Sequence, residues 1–137
     1  MASLDAPERL LAAGLLSGVP STLHALARGG DVLAATRAAG TLVPGRRDRP
    51  SALAGAGVHA VLTAWWTTVL TAVVRRVGGG AATGLVGGAA IAALDLGVVA
   101  RRYPAIRALP QTPQWADHLL FGAVVGRLAA CRSTTSR

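Results

Sequence analysis

Residues 78–100, GGGAATGLVGGAAIAALDLGVVA, contain only two polar side chains, Thr83 and Asp95. A helix of that length in water needs a polar face recurring at helical spacing, and this stretch has none. It is long enough to cross a hydrocarbon layer of roughly 30 Å, which takes about 20 residues at about 1.5 Å each. Residues 51–74 and 113–131 read the same way, and a fourth stretch, residues 8–27, is shorter in its apolar part and carries Pro20. Composition agrees: the 137 residues are 52% hydrophobic with a mean hydropathy of +0.47, high for a soluble domain of this size. The expected fold is all-α, an integral membrane antiparallel four-helix bundle in a single domain, residues 1–137, placed multi-pass in the cell membrane.

Punctuation between the spans supports short connections. Asp31 reads as the N-cap of a helix over about residues 31–40, closed by Gly40. That helix is too short to cross and suits an interfacial or re-entrant position. Gly78-Gly79-Gly80 makes a tight return, and Thr112 as N-cap with Pro113 at the first helical position starts the fourth span.

The net charge of +8 comes from fourteen arginines and no lysine. They cluster at the ends of the apolar runs, as in Arg46-Arg47, Arg75-Arg76 and Arg101-Arg102, with no basic face and no interleaved aromatics. That pattern excludes nucleic acid as a partner and fits membrane-flanking anchors. The first and third loops hold Arg28, Arg37, Arg46, Arg47, Arg49, Arg101, Arg102 and Arg107; Arg9, Arg75, Arg76, Arg132 and Arg137 fall on the other side, with Arg127 near them. The positive-inside rule then places those two loops in the cytoplasm and the termini outside. Asp5 and Glu8 beside Arg9 argue against a secretory leader, despite the cleavage-like Ala25-Leu26-Ala27, so the first segment reads as a retained span. The lone Cys131 rules out an internal disulfide and a CxxC motif.

In lipid, helices associate closely where small residues let their backbones approach. Gly14/Gly18, Gly80/Gly84/Gly88 and Gly122/Gly126 form such ridges and mark inward faces. His118 precedes Gly122 by four, and Asp95 follows Gly88 by seven, so both share those faces. On the second span an i, i+4 line runs Gly55, His59, Thr63, Thr67, Thr71. His24 lies off the Gly14/Gly18 face, and Asp117 is turned from His118 by one residue. Counted from the loops, His24, His59, Asp95, Asp117 and His118 all fall in the half facing the first and third loops.

Ionisable groups at membrane depth usually pair and often mark a site. Four readings of this layer stay open: a structural network in which Asp95 accepts from His59 or His118; a small transporter or channel for protons, ions or a small solute; a metal or haem site using His59 and His118 with Asp95 or His24; and catalysis, for which Ser21 with His24 is the only local pair. No HxxxH or HExxH spacing occurs, so no metal ligand, cofactor or catalytic residue is assigned. The expected partners are the lipid bilayer and, through free glycine ridges, either a second copy of the chain or another membrane protein. The leading expectation is a non-enzymatic accessory or interaction protein.

The strings GLLSGVPSTLHAL (14–26), AATRAAGTL (34–42), IAALDLGVVARRYPAIRALP (91–110) and DHLLFGAVVG (117–126) together resemble small four-span membrane proteins of GC-rich actinobacteria. The resemblance covers most of the chain and implies an integral membrane fold. It brings no activity, cofactor or residue role.

Overall fold

The computed structural model describes residues 6–131. Arg132, Arg137, Asp5 and the side chain of Arg9, all weighed above, lie outside the described residues. Those residues are all-helical, with no strand among them. In chain order the helices are α1 (Ala6–Ser17), α2 (Val19–Ala27), α3 (Ala34–Ala39), α4 (Ala52–Val77), α5 (Ala81–Gly97), α6 (Pro104–Arg107) and α7 (Gln111–Ala130). Short 3-10 turns extend α3 over Gly40–Leu42 and follow α5 over Val99–Arg102.

The helix ends correct several sequence expectations. The first span is two helices rather than one, broken at Gly18, because Pro20 in the first turn of α2 has no N–H to continue the ladder. Asp31 does not cap α3: its carboxylate accepts from the Leu33 N–H at 2.9 Å, so the helix starts only at Ala34. α7 starts at Gln111 behind Pro110, which puts Pro113 third rather than first, still among positions whose N–H has no helical partner. α4 runs three residues beyond the expected end, to Val77, before three left-handed glycines turn the chain: Gly78 and Gly79 at φ +82° and Gly80 at φ +53°. The Thr83 hydroxyl closes this turn by donating to the Gly78 carbonyl at 2.6 Å.

Three segments are long and apolar enough to cross a membrane: Leu10–Ala27, Ala52–Val77 and Ala81–Arg102. α7, the expected fourth, is long enough but falls short in hydropathy, since it carries Gln111, Gln114, Asp117, His118 and Arg127. Its place in the fold explains that composition. α5, α1, α4 and α2 all pack against α7, which buries Gln114, Phe121, Gly122, Val125, Gly126 and Ala129 among them. The apolar segments, by contrast, turn outward: Leu15, Leu23, Leu53, Val61, Val77 and Val86 are all exposed.

The most extensive contact joins α5 to α7, antiparallel, backbone against backbone. A methyl group built on Gly84 would overlap the Gly122 carbonyl, one on Gly88 the His118 carbonyl, and one on Gly126 the Gly80 carbonyl. Beside this seam one cluster joins Ala13 of α1, Leu70 of α4, Ile91 of α5, and Phe121 and Val125 of α7, with Trp66 packed on it. A second cluster at the loop end gathers Ala38, Ala100 and Ile106, with Leu96, Tyr103 and Leu109 against it. α3, which the sequence left interfacial or re-entrant, docks on the start of α4, where a side chain at Gly55 would overlap the Thr36 carbonyl.

Substituting Gly84→Val should therefore push α5 off α7 and cost about 1–3 kcal/mol, the usual range for overpacking. Gly57, which has nothing within 4 Å of a built side chain, should tolerate Ala or gain up to about 1 kcal/mol from helix propensity. Unfolding in detergent, followed by circular dichroism, compares the two; equal effects would contradict the seam.

Candidate functional site

The polar residues of the layer come together unequally. His118 sits two turns into α7, and its Nδ1 lies 2.7 Å from the Gln114 carbonyl one turn back. A carbonyl only accepts, so Nδ1 carries a hydrogen. Its Nε2 lies 3.1 Å from Asp95 Oδ2 on α5. With Nδ1 already protonated, this second contact has two forms: an imidazolium donating to a carboxylate, or a neutral imidazole accepting from a carboxylic acid. Both forms share one proton and have no net charge as a pair. That lowers the cost of holding two ionisable groups in a poorly solvated place. The pair is part-buried, with side-chain exposures of 21% for His118 and 31% for Asp95.

Asp117 does something the sequence did not foretell. Its Oδ1 accepts from the backbone N–H of Ser21 at 2.9 Å. Ser21 lies in the first turn of α2, whose N-cap, Gly18, offers no side-chain oxygen. The break at Gly18 leaves this N–H without an intrahelical acceptor, and a carboxylate from α7 supplies one at the positive end of the α2 dipole. The Ser21 hydroxyl turns to the Gly18 carbonyl at 3.3 Å, and Thr22 donates to the same oxygen at 2.7 Å. Ser21 is thus drawn into a helix cap. The signal was present in Gly18-Val19-Pro20-Ser21, a restart with Pro in its first turn, but its distant carboxylate could not be read from local spacing.

His59 stays outside these contacts. It is exposed and lines an open groove of about 300 Å³ between α1 and α4, with Leu10, Leu11, Gly14, Leu15 and Thr63. His118, Asp117 and Asp95 are within its electrostatic reach, but it makes no hydrogen bond among the described residues. Periodicity explains the misplacement. An i, i+4 line drifts about 40° per step from true helical repeat, so Thr67 is buried while His59, two steps earlier, has rotated outward. The Thr67 hydroxyl is left as a buried side-chain atom without a hydrogen-bond partner among the described residues. His24 is separate again, facing a second cavity at the end of α2. Among the described residues no three His, Cys, Asp or Glu side chains are placed to hold a metal ion.

The arrangement therefore contains a shared-proton pair linking α5 to α7 and an ionic cap linking α7 to α2. Asp117→Ala should remove the acceptor for Ser21 and cost about 1–2 kcal/mol, whereas Asp117→Asn keeps an acceptor and should cost less. Thermal unfolding in detergent with amide exchange at Ser21 tests this; faster exchange in the alanine variant alone is the expected result. No protein-family model, curated protein or solved structure matches this chain.

Proposed function

We propose that this chain is a multi-pass integral membrane protein of the cell membrane, an antiparallel four-helix bundle in which α1–α2, α4 and α5 face lipid and shield α7. The single observation supporting this is the inverted distribution of polarity. The most enclosed helix is the most polar of the long ones, and the most apolar helices expose their leucines and valines. A soluble bundle buries those side chains, at about 25 cal/mol for each Å² of apolar surface. A bilayer reverses the preference, leaving small residues and polar contacts to join helices.

Within that setting the chain acts as a non-enzymatic accessory or interaction protein. The Asp95–His118 pair and the Asp117–Ser21 cap use their groups for helix-to-helix attachment, which supports a structural role for the layer. Its partners are lipid and, along the α1/α4 groove with its small Gly14, Ala60 and Ala64, a helix of another membrane protein or of a second copy. One observation favours a second reading, a small proton or ion conductor: His59 opens to that groove within reach of both acids.

Expressed in cells, the protein should stay in the membrane fraction after carbonate washing and leave it only with detergent. Asp95→Asn should fold with a loss within about 1 kcal/mol, since the amide can donate to His118 Nε2. Liposomes holding the parent protein should dissipate a pH gradient no faster than empty ones. Dissipation that is abolished by His59→Leu would instead establish the second reading.

A further inference from the structure

A cavity of about 160 Å³ lies between the C-terminal end of α2, the start of α3 and the first turn of α7. At about 30 Å³ of liquid per water it has room for roughly five. Its lining combines Arg28, His24, Asp31, Gln114, Pro110 and Pro113 with small apolar residues.

Three side chains meet at it: Gln114, Arg28 and His24. Gln114 is only 9% exposed, yet its side-chain amide has no hydrogen-bond partner among the described residues; its backbone carbonyl is the group that meets His118. The amide is not sealed from solvent, so its donors are open to a group that enters the cavity. Arg28 is exposed at the rim with no ion pair among the described residues, and the imidazole of His24, half-buried beside it, has no hydrogen bond there either. The start of α7 abuts the cavity through Pro110, Pro113 and Gln114; the prolines carry no N–H, so the polar group α7 offers there is the Gln114 side chain. The one acid in the lining, Asp31, is already engaged: it pairs with Arg37 and accepts from the Leu33 N–H. What remains is an amide donor, a guanidinium and an imidazole, together complementary to an anion with several oxygens.

We propose that this cavity binds a phosphate group, held by Arg28, His24 and Gln114 against the start of α7. Two sources supply that chemistry: the phosphodiester of an anionic phospholipid and free inorganic phosphate. The lipid source rests on the membrane reading above, because the segment Leu10–Ala27 ends where the cavity begins, at headgroup depth. Phosphate recognition itself does not.

Purified protein in detergent is titrated separately with dihexanoyl phosphatidylglycerol, inorganic phosphate and dihexanoylglycerol, which lacks phosphate, following the rise in unfolding temperature. The expected result is saturable stabilisation by the phospholipid, none by dihexanoylglycerol, and affinity about tenfold or more weaker in Arg28→Gln. Arg47→Gln, an exposed arginine outside the cavity, should leave it unchanged. Stabilisation by inorganic phosphate with the same dependence on Arg28 also supports the site and identifies the free ion as the source. Gln114→Leu gives a second test, since it fills the same position without donors and should lose binding while folding. No saturable effect from either phosphate compound, equal stabilisation by dihexanoylglycerol, or equal losses in Arg28→Gln and Arg47→Gln would overturn the proposal. Failure of the membrane reading shows separately, as release by carbonate, and leaves the inorganic phosphate titration interpretable.

Discussion

The approach of the α5 and α7 backbones constrains everything else in this molecule. With glycine at 84, 88, 122 and 126 the two helices lie so close that any side chain there would meet a facing carbonyl or α-carbon. Contact this intimate admits one register, with the His118 carbonyl beside Gly88. Asp95 then lies two turns further along α5. Side chains lean toward the N-terminus of their own helix, and in an antiparallel pair that makes Asp95 and His118 lean toward each other. The 3.1 Å contact is therefore a result of the glycine seam as much as of the two residues that make it.

That logic explains what the sequence revealed. The seam was readable because Gly-x-x-x-Gly spacing is periodic, and the faces carrying Asp95 and His118 follow from counting four and seven residues. The all-helical character and three of the four expected apolar segments were legible in the runs of apolar residues, whereas the fourth, residues 113–131, falls short in hydropathy. What escaped were features that depend on a distant partner. Asp117 looked like a residue at a helix entrance because its acceptor role exists only once α2 breaks at Gly18 on a neighbouring helix. His59 lies within reach of Asp95, Asp117 and His118 but turns to the groove, since a four-residue step is not a whole turn and its error accumulates. Gln114 drew no notice, as nothing about an isolated glutamine reveals that three elements will surround it.

The distribution of polarity unites these details. α7 alone collects Gln114, Asp117 and His118 on the loop half, and each meets a different structure: the cavity by α2 and α3, the cap of α2, and the acid on α5. A helix that serves so many partners has little apolar surface to spare. Its modest hydropathy and its central position are one fact seen twice.

The central position of α7 bears on how the molecule assembles. A ribosome delivers α1, α4 and α5 before α7 exists, so the greasy outer staves emerge with nothing yet to close around. Until the final described helix is synthesised, the groove meant for it stands open, and the earlier segments must wait beside one another without their shared spine.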